Sequence, residues 1–310
     1  MHRRTFLASA ATGTAAAAAA SLPAAAQDTG RTGFVLVHGS WHGAWCWGLV
    51  EPYLNAMGHV TVPVDLPGHG LNALIPASFT ARPLDPAAFA SEPSPLAEIP
   101  IDAYADAVIA GAERARQQGA ERVFAVGHSM GGVPVSFAAA KAPEAFAGLV
   151  YLAAVAPTPG KPGGAYLALE AQANESLLGP IVAADPAVVG ALRIDPRSTD
   201  PDYLAAAKAA LAADVPDDLL ATVMHMLTPD APITMYGDVA EFAAGAEALE
   251  RSYIICTEDR TVVRATSEAI IADMTAAWPE KPTRMLELAS SHEAMFSVPE
   301  ALAEAIATAV

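Results

Sequence analysis

Short apolar runs alternate with helix-length segments along most of this chain, and that alternation limits the folds open to it. The runs are Phe34 to Val37, Val60 to Val64, Val123 to Val126, Leu149 to Ala153, Tyr253 to Cys256 and Thr283 to Leu288. At four to six residues they are strand length, and most are apolar at consecutive positions, the pattern of strands covered on both faces. Between them lie helix candidates at Ala44 to Met57, Asp102 to Gln118, Met130 to Ala142, Val263 to Trp278 and Pro299 to Thr308. Strand followed by helix, repeated, predicts the α/β class: a mainly parallel sheet with helices on both faces.

Two stretches interrupt the alternation. Leu71 to Pro100 carries Pro76, Pro83, Pro86, Pro93, Pro95 and Pro100 with little periodicity, so a long ordered loop is expected there. Pro157 to Pro232 holds helical pieces around Gly164 to Ser176, Asp202 to Ala213 and Asp217 to Leu227, and no strand signal. An all-helical excursion between two sheet strands predicts a cap, at about 157–232, over the strand ends where open α/β sheets build their sites.

The N-terminus reads as a removable export signal. Arg3-Arg4-Thr5-Phe6-Leu7 resembles a twin-arginine motif, the apolar run Ala8 to Ala20 is too short to span a bilayer, and Ala24-Ala25-Ala26 suits cleavage after Ala26. Export to the periplasm or the medium is the expectation, with residues 27–310 as one domain. Cleavage would leave 15 basic against 34 acidic residues, a net charge of −19 in place of −17. So acidic a chain repels phosphate backbones and anionic lipid, which argues against nucleic-acid and membrane-surface partners. The two cysteines are Cys46 and Cys256; Cys256 closes an apolar run, where Cys acts as a small hydrophobe, so no disulfide is expected.

The chemistry is carried by residues at strand ends. Gly127-His128-Ser129-Met130-Gly131 follows a strand and opens a helix, the context of a nucleophile elbow, whose sharp turn needs small residues two places either side of the serine. A serine hydroxyl needs a base, a carboxylate to orient that base, and N–H groups for the developing oxyanion. His292 follows the last strand and Asp259 the one before, in the chain order Ser, Asp, His; Glu258 is the rival acid. The oxyanion N–H groups are assigned to Met130 and to Ser40, in the loop His38-Gly39-Ser40-Trp41-His42 after the first strand. His38 is expected to brace that loop and His69 a turn. Trp41, His42, His128 and, from the cap, Met224 are the pocket candidates, with Leu167, Leu169, Leu177, Leu220 and Leu227 as further cap hydrophobes and His225 at the pocket or exposed.

Several motifs in order, Phe34 to Gly39, Trp41 to Trp47, Asp65-Leu66-Pro67-Gly68-His69-Gly70, the elbow, Cys256 to Asp259 and His292, resemble the α/β-hydrolase branch of plant methylesterases, hydroxynitrile lyases and related bacterial esterases. The resemblance runs from about Gly33 to the C-terminus. It implies the α/β-hydrolase fold, a triad of Ser129, Asp259 and His292, and a small-molecule substrate. Lyases of this branch carry a threonine where Gly39 stands and a lysine where Glu293 stands, so the resemblance implies hydrolysis of esters. The expected enzyme is a serine carboxylesterase acting on small or medium hydrophobic esters through an acyl-enzyme. Lactone, amide or carbon–carbon hydrolysis on the same triad, and a non-catalytic binding role, are the alternatives. No cofactor and no metal are implied, since no ligand cluster has metal spacing.

Overall fold

The computed structural model describes residues 31–310; the expected export signal, residues 1–26, lies outside the described residues. Its strands are β1 (Thr32–Val37), β2 (Val60–Val64), β3 (Arg122–His128), β4 (Gly148–Leu152), β5 (Ala191–Arg193), β6 (Asp230–Pro232), β7 (Glu250–Cys256) and β8 (Arg284–Leu288). Six form one sheet in the order β2-β1-β3-β4-β7-β8, every neighbouring pair parallel. β1, β3 and β4 are buried almost throughout, as strands covered on both faces must be. The helix Ile101–Gln117 lies against β1, β2 and β3 and closes so tightly that a Cβ on Gly111 would stand 2.6 Å from a Val35 methyl. Arg264–Ala277 packs on β7, and Pro299–Thr308 on β8 and on the helix Glu51–Ala56.

Two helix expectations are corrected. The stretch Ala44 to Met57 is two pieces, a 3-10 turn at Ala44–Trp47 and a helix at Glu51–Ala56, because Pro52 fits a first turn and not a helix interior. Gly164 to Ser176 likewise divides into Gly163–Leu167 and Glu170–Glu175, with Leu169 extended between them.

The excursion between β4 and β7 is not all-helical: β5 and β6 pair antiparallel within it. Each is three residues long, below the length at which alternation can be read. Their pairing is reinforced by a buried bidentate ion pair, Arg193 Nε to Asp230 Oδ1 at 2.7 Å and Nη2 to Oδ2 at 2.8 Å. Arg193 also donates to the carbonyls of Phe89 and Glu92, tying the hairpin to the Pro-rich stretch. That stretch is ordered, as expected, and it also holds two short helices, Ala77–Thr80 and Pro86–Ser91, whose Phe79 and Phe89 rings meet at 5.6 Å. Asp85 caps the second helix through the N–H groups of Ala87 and Ala88.

Candidate active site

Register brings the candidate residues together. Val37 pairs with Gly127, so the segments after β1 and at the end of β3 leave adjacent strands side by side. Ser129 sits on the turn at φ 53°, a left-handed conformation that costs a non-glycine residue roughly 1–3 kcal/mol and is held only by its surroundings. The flanking glycines are steric necessities: a Cβ on Gly127 would meet the Gly131 carbonyl oxygen at 2.7 Å, and one on Gly131 the His38 carbonyl oxygen at 2.5 Å. The Ser129 carbonyl accepts from Val155 N–H at 3.0 Å, anchoring the turn to the segment after β4.

Cys256 pairs with Leu288, so Asp259 and His292 emerge three and four residues beyond matched positions of β7 and β8. His292 Nδ1 lies 2.7 Å from Asp259 Oδ2, both side chains buried. The other carboxylate oxygen accepts from Thr261 N–H at 2.7 Å and Val262 N–H at 3.0 Å, fixing its orientation. Burial alone favours the neutral His292 ring, but the charge and hydrogen bond of Asp259, with the charge of Glu293, outweigh it and hold the pKa above the ordinary histidine value. With Nδ1 committed to Asp259, Nε2 is the nitrogen left to accept a proton. Glu258, the rival acid, is exposed.

Ser40 follows β1 and lines the hollow above Ser129; Met130 lies in the 3-10 turn Ser129–Gly131, whose first N–H groups have no partner within the turn. His38 braces the loop as expected: Nδ1 donates to the Gly39 carbonyl at 2.8 Å and Nε2 accepts from Leu66 N–H at 3.2 Å. Burial, then the nearby His69, press its pKa far down, so it stays neutral. His69 bonds the Pro67 carbonyl at 3.0 Å within its turn.

A cavity of about 360 Å³ opens on Ser129 between the strand ends and the 157–232 segment. Its apolar wall comes from Trp41, Val155, Leu167, Leu178, Leu192 and Ile233. Trp41 and Leu167, two of the residues singled out in the sequence, line this cavity. His42, His128 and Met224 are not among the lining residues, which corrects the expectation for each. His128 is buried under the elbow, its Nε2 donating to the His292 carbonyl at 3.1 Å. His42 is buried in a three-ring cluster with Trp45 and Phe296, each ring against the other two. Met224 packs in the core and edges a separate hollow of about 310 Å³ between the helices Pro201–Leu211 and Asp217–Met226, which Leu220 and the exposed His225 also line. Val155, Leu178, Leu192 and Ile233 were missed, because an apolar residue in a loop, or in a strand as short as β5, carries no sign of which hollow it faces. Trp41 also ties the segment 157–232 to the loop after β1: its ring N–H donates to the Leu192 carbonyl at 2.8 Å, and its own carbonyl accepts from Thr228 N–H at 2.9 Å. Cys46 and Cys256 are buried free thiols.

The sequence profile described as the alpha/beta hydrolase family matches residues 34–305, nearly the whole described chain. The chain belongs to the α/β-hydrolase family. Methylesterase 9 of Arabidopsis thaliana is 28% identical over 236 residues, covering 74% of this chain and 80% of the relative. Methylesterase 1 of the same plant is 38% identical over 126 residues, but that match spans only 40% of either chain. Among solved structures, a pyrethroid hydrolase from Sphingobium faniae JZ-2 superposes with a TM-score of 0.67 at 23% identity, covering 89% of this chain and 96% of its own. An Arabidopsis methylesterase superposes at 0.61 and 24% identity, covering 90% and 98%. Likeness at that identity establishes the α/β-hydrolase fold. The curated relatives bear out this branch of the family and, at that level, a carboxylic ester hydrolase.

Proposed function

We propose that this α/β-hydrolase is an exported serine carboxylesterase for small or medium hydrophobic esters. The observation that carries the reading is Ser129, held at positive φ on the elbow and facing an apolar cavity, with the His292–Asp259 pair beyond the ends of β7 and β8 in the same parallel sheet. In the acylation step Ser129 Oγ bonds to the ester carbonyl carbon and its proton passes to His292 Nε2. The carbonyl oxygen takes up the electron pair and is bound by the N–H groups of Ser40 and Met130. Collapse breaks the bond to the alkoxy oxygen, which leaves with the proton from His292; water then repeats both transfers to release the acid. Asp259 keeps the ring in the tautomer that this needs.

The cavity walls favour hydrophobic acyl or alcohol groups, and its volume suits a small or medium ester. Gly39 and Glu293, in place of the hydroxyl and the ammonium of the lyase members, favour hydrolysis over cyanohydrin cleavage. The segment 157–232 acts as the cap, since Leu167, Leu178 and Leu192 close the cavity from above. The paired arginines, the apolar run and Ala24-Ala25-Ala26 support export by the twin-arginine route. Ser129→Ala should leave a folded protein with no measurable turnover of p-nitrophenyl esters, and initial rates across esters, lactones and amides should be highest for esters. Retained ester hydrolysis in Ser129→Ala would refute the reading.

A further inference from the structure

Glu293, next to His292 in the chain, is one of the least exposed acids among the described residues, at 3%. Its Oε2 lies 3.4 Å from His42 Nε2, ion-pair distance that is longer than a well-formed hydrogen bond, and neither atom has another partner among the described residues. An unpaired charge in so dry a place is costly, so the two groups belong together. The hydrogen-bond chemistry fixes one proton: His42 Nδ1 lies 2.7 Å from the Ser40 carbonyl, which only accepts, so Nδ1 is the donor. Nε2 and Oε2 then need a second proton between them. From Ser40 through His42 to Glu293, a polar line runs from the oxyanion loop to the histidine loop. The far end is anchored as well, since Glu293 N–H donates to the Leu211 carbonyl at 3.1 Å. The ring of His42 is further fixed by stacking on Phe296 at 6.0 Å.

We propose that Glu293, acting with His42, is a positioning residue for ester hydrolysis: it holds the oxyanion loop in register with His292 and puts a second buried carboxylate beside that base. A nitrogen or oxygen of each of His128, His292 and Glu293 lies within 4.8 Å of the others, so the carboxylate favours the imidazolium that forms as Ser129 attacks. The titratable groups around the pair are His42 and Cys46 from the segment after β1, His128 from β3, Asp259 and Cys256 from β7 and its loop, and Asp214 through Ser291. His128 is held neutral, by burial first and by His292 second, and burial pushes both thiols up, so these three add no charge at neutral pH; Asp259 is the other anion beside His292, and the proton shared with His42 offsets part of the Glu293 charge. The inference rests on His292 being the general base.

The test is the pH profile of kcat/KM for a p-nitrophenyl ester, measured on Glu293→Gln, Glu293→Asp and the parent, with Ser129→Ala as control. Glu293→Gln should lower kcat about tenfold with KM within twofold, and should move the acid limb down by about one pH unit, the shift expected on losing an anion within 4–6 Å. Glu293→Asp, which keeps the charge, should leave the limb with the parent. Should Glu293→Gln not fold, Glu293→Met carries the same expectation. An unmoved acid limb in the neutral variants overturns the proposal, whether or not kcat falls. Activity in Ser129→Ala would instead overturn the triad reading on which it rests.

Discussion

Replacing Asp259 by asparagine tests the site where its geometry is most explicit. Asp259 Oδ1 accepts from the N–H groups of Thr261 and Val262, a task an amide oxygen performs equally well. The asparagine side chain would therefore keep its oxygen there and turn its NH₂ toward His292 Nδ1. Two donors cannot face each other, so the ring proton moves to Nε2 and Nδ1 becomes an acceptor. A ring protonated on Nε2 cannot take the proton of Ser129. The loss matches that of the serine-protease template, about 10⁴-fold in turnover, or roughly 5 kcal/mol of transition-state stabilisation. Folding should change by no more than about 1 kcal/mol, since both loop bonds survive and the 2.7 Å contact is replaced by another hydrogen bond. The residual activity should have its acid limb at lower pH, because the anion that raises the His292 pKa is gone. Steady-state hydrolysis of p-nitrophenyl acetate from about pH 5 to 9, with thermal melts of the same samples, gives both readouts across the histidine range. A folded Asp259→Asn within tenfold of the parent would refute the reasoning, and exposed Glu258 offers no substitute carboxylate.

Three further outcomes are expected. Arg193→Met strands the buried Asp230 carboxylate and should cost about 3–5 kcal/mol by denaturant unfolding, most of it recovered in Arg193→Met/Asp230→Leu; a single-variant cost under about 1 kcal/mol counts against the pair as the anchor of the β5–β6 hairpin. Gly131→Ala puts a methyl 2.5 Å from the His38 carbonyl oxygen, so the elbow must shift and kcat should fall at least about a hundredfold while far-ultraviolet circular dichroism is unchanged; near-parental kcat contradicts the steric account. Arg3→Lys with Arg4→Lys should leave uncleaved precursor in the cytoplasm, and mature protein exported at the parental level rules out the twin-arginine route.

The parts of the fold legible in the sequence are those with local causes. Short apolar runs, most of them continuous, announced all six strands of the main sheet within a residue or so at most ends, and Gly127, Ser129 and Gly131 announced the turn because sterics leave few alternatives there. Asp259 and His292 could be placed at the same sheet edge as Ser129 because parallel strands all end on one side, so order along the chain stands in for distance. Features set by distant partners stayed hidden. The β5–β6 hairpin depends on Arg193 meeting Asp230 across 37 residues, and neither residue is distinctive in its own segment. His42 and His128 read as pocket residues because histidines beside a nucleophile invite that reading; their actual partners, the Ser40 carbonyl and the His292 carbonyl, are backbone atoms that no side-chain pattern encodes. Met224 read as cap lining, and its helix turned it into the core and toward a different hollow.

The central claim, that Ser129 is the nucleophile of an acyl-transfer site, is tested most directly by covalent capture. The purified protein is treated with a fluorophosphonate, digested, and mapped by mass spectrometry while residual p-nitrophenyl ester hydrolysis is followed. One phosphonyl adduct on the peptide bearing Ser129, rising in step with loss of activity and absent from His292→Ala, is the predicted result. An adduct at another residue, or full hydrolytic activity in protein wholly labelled at Ser129, would contradict it.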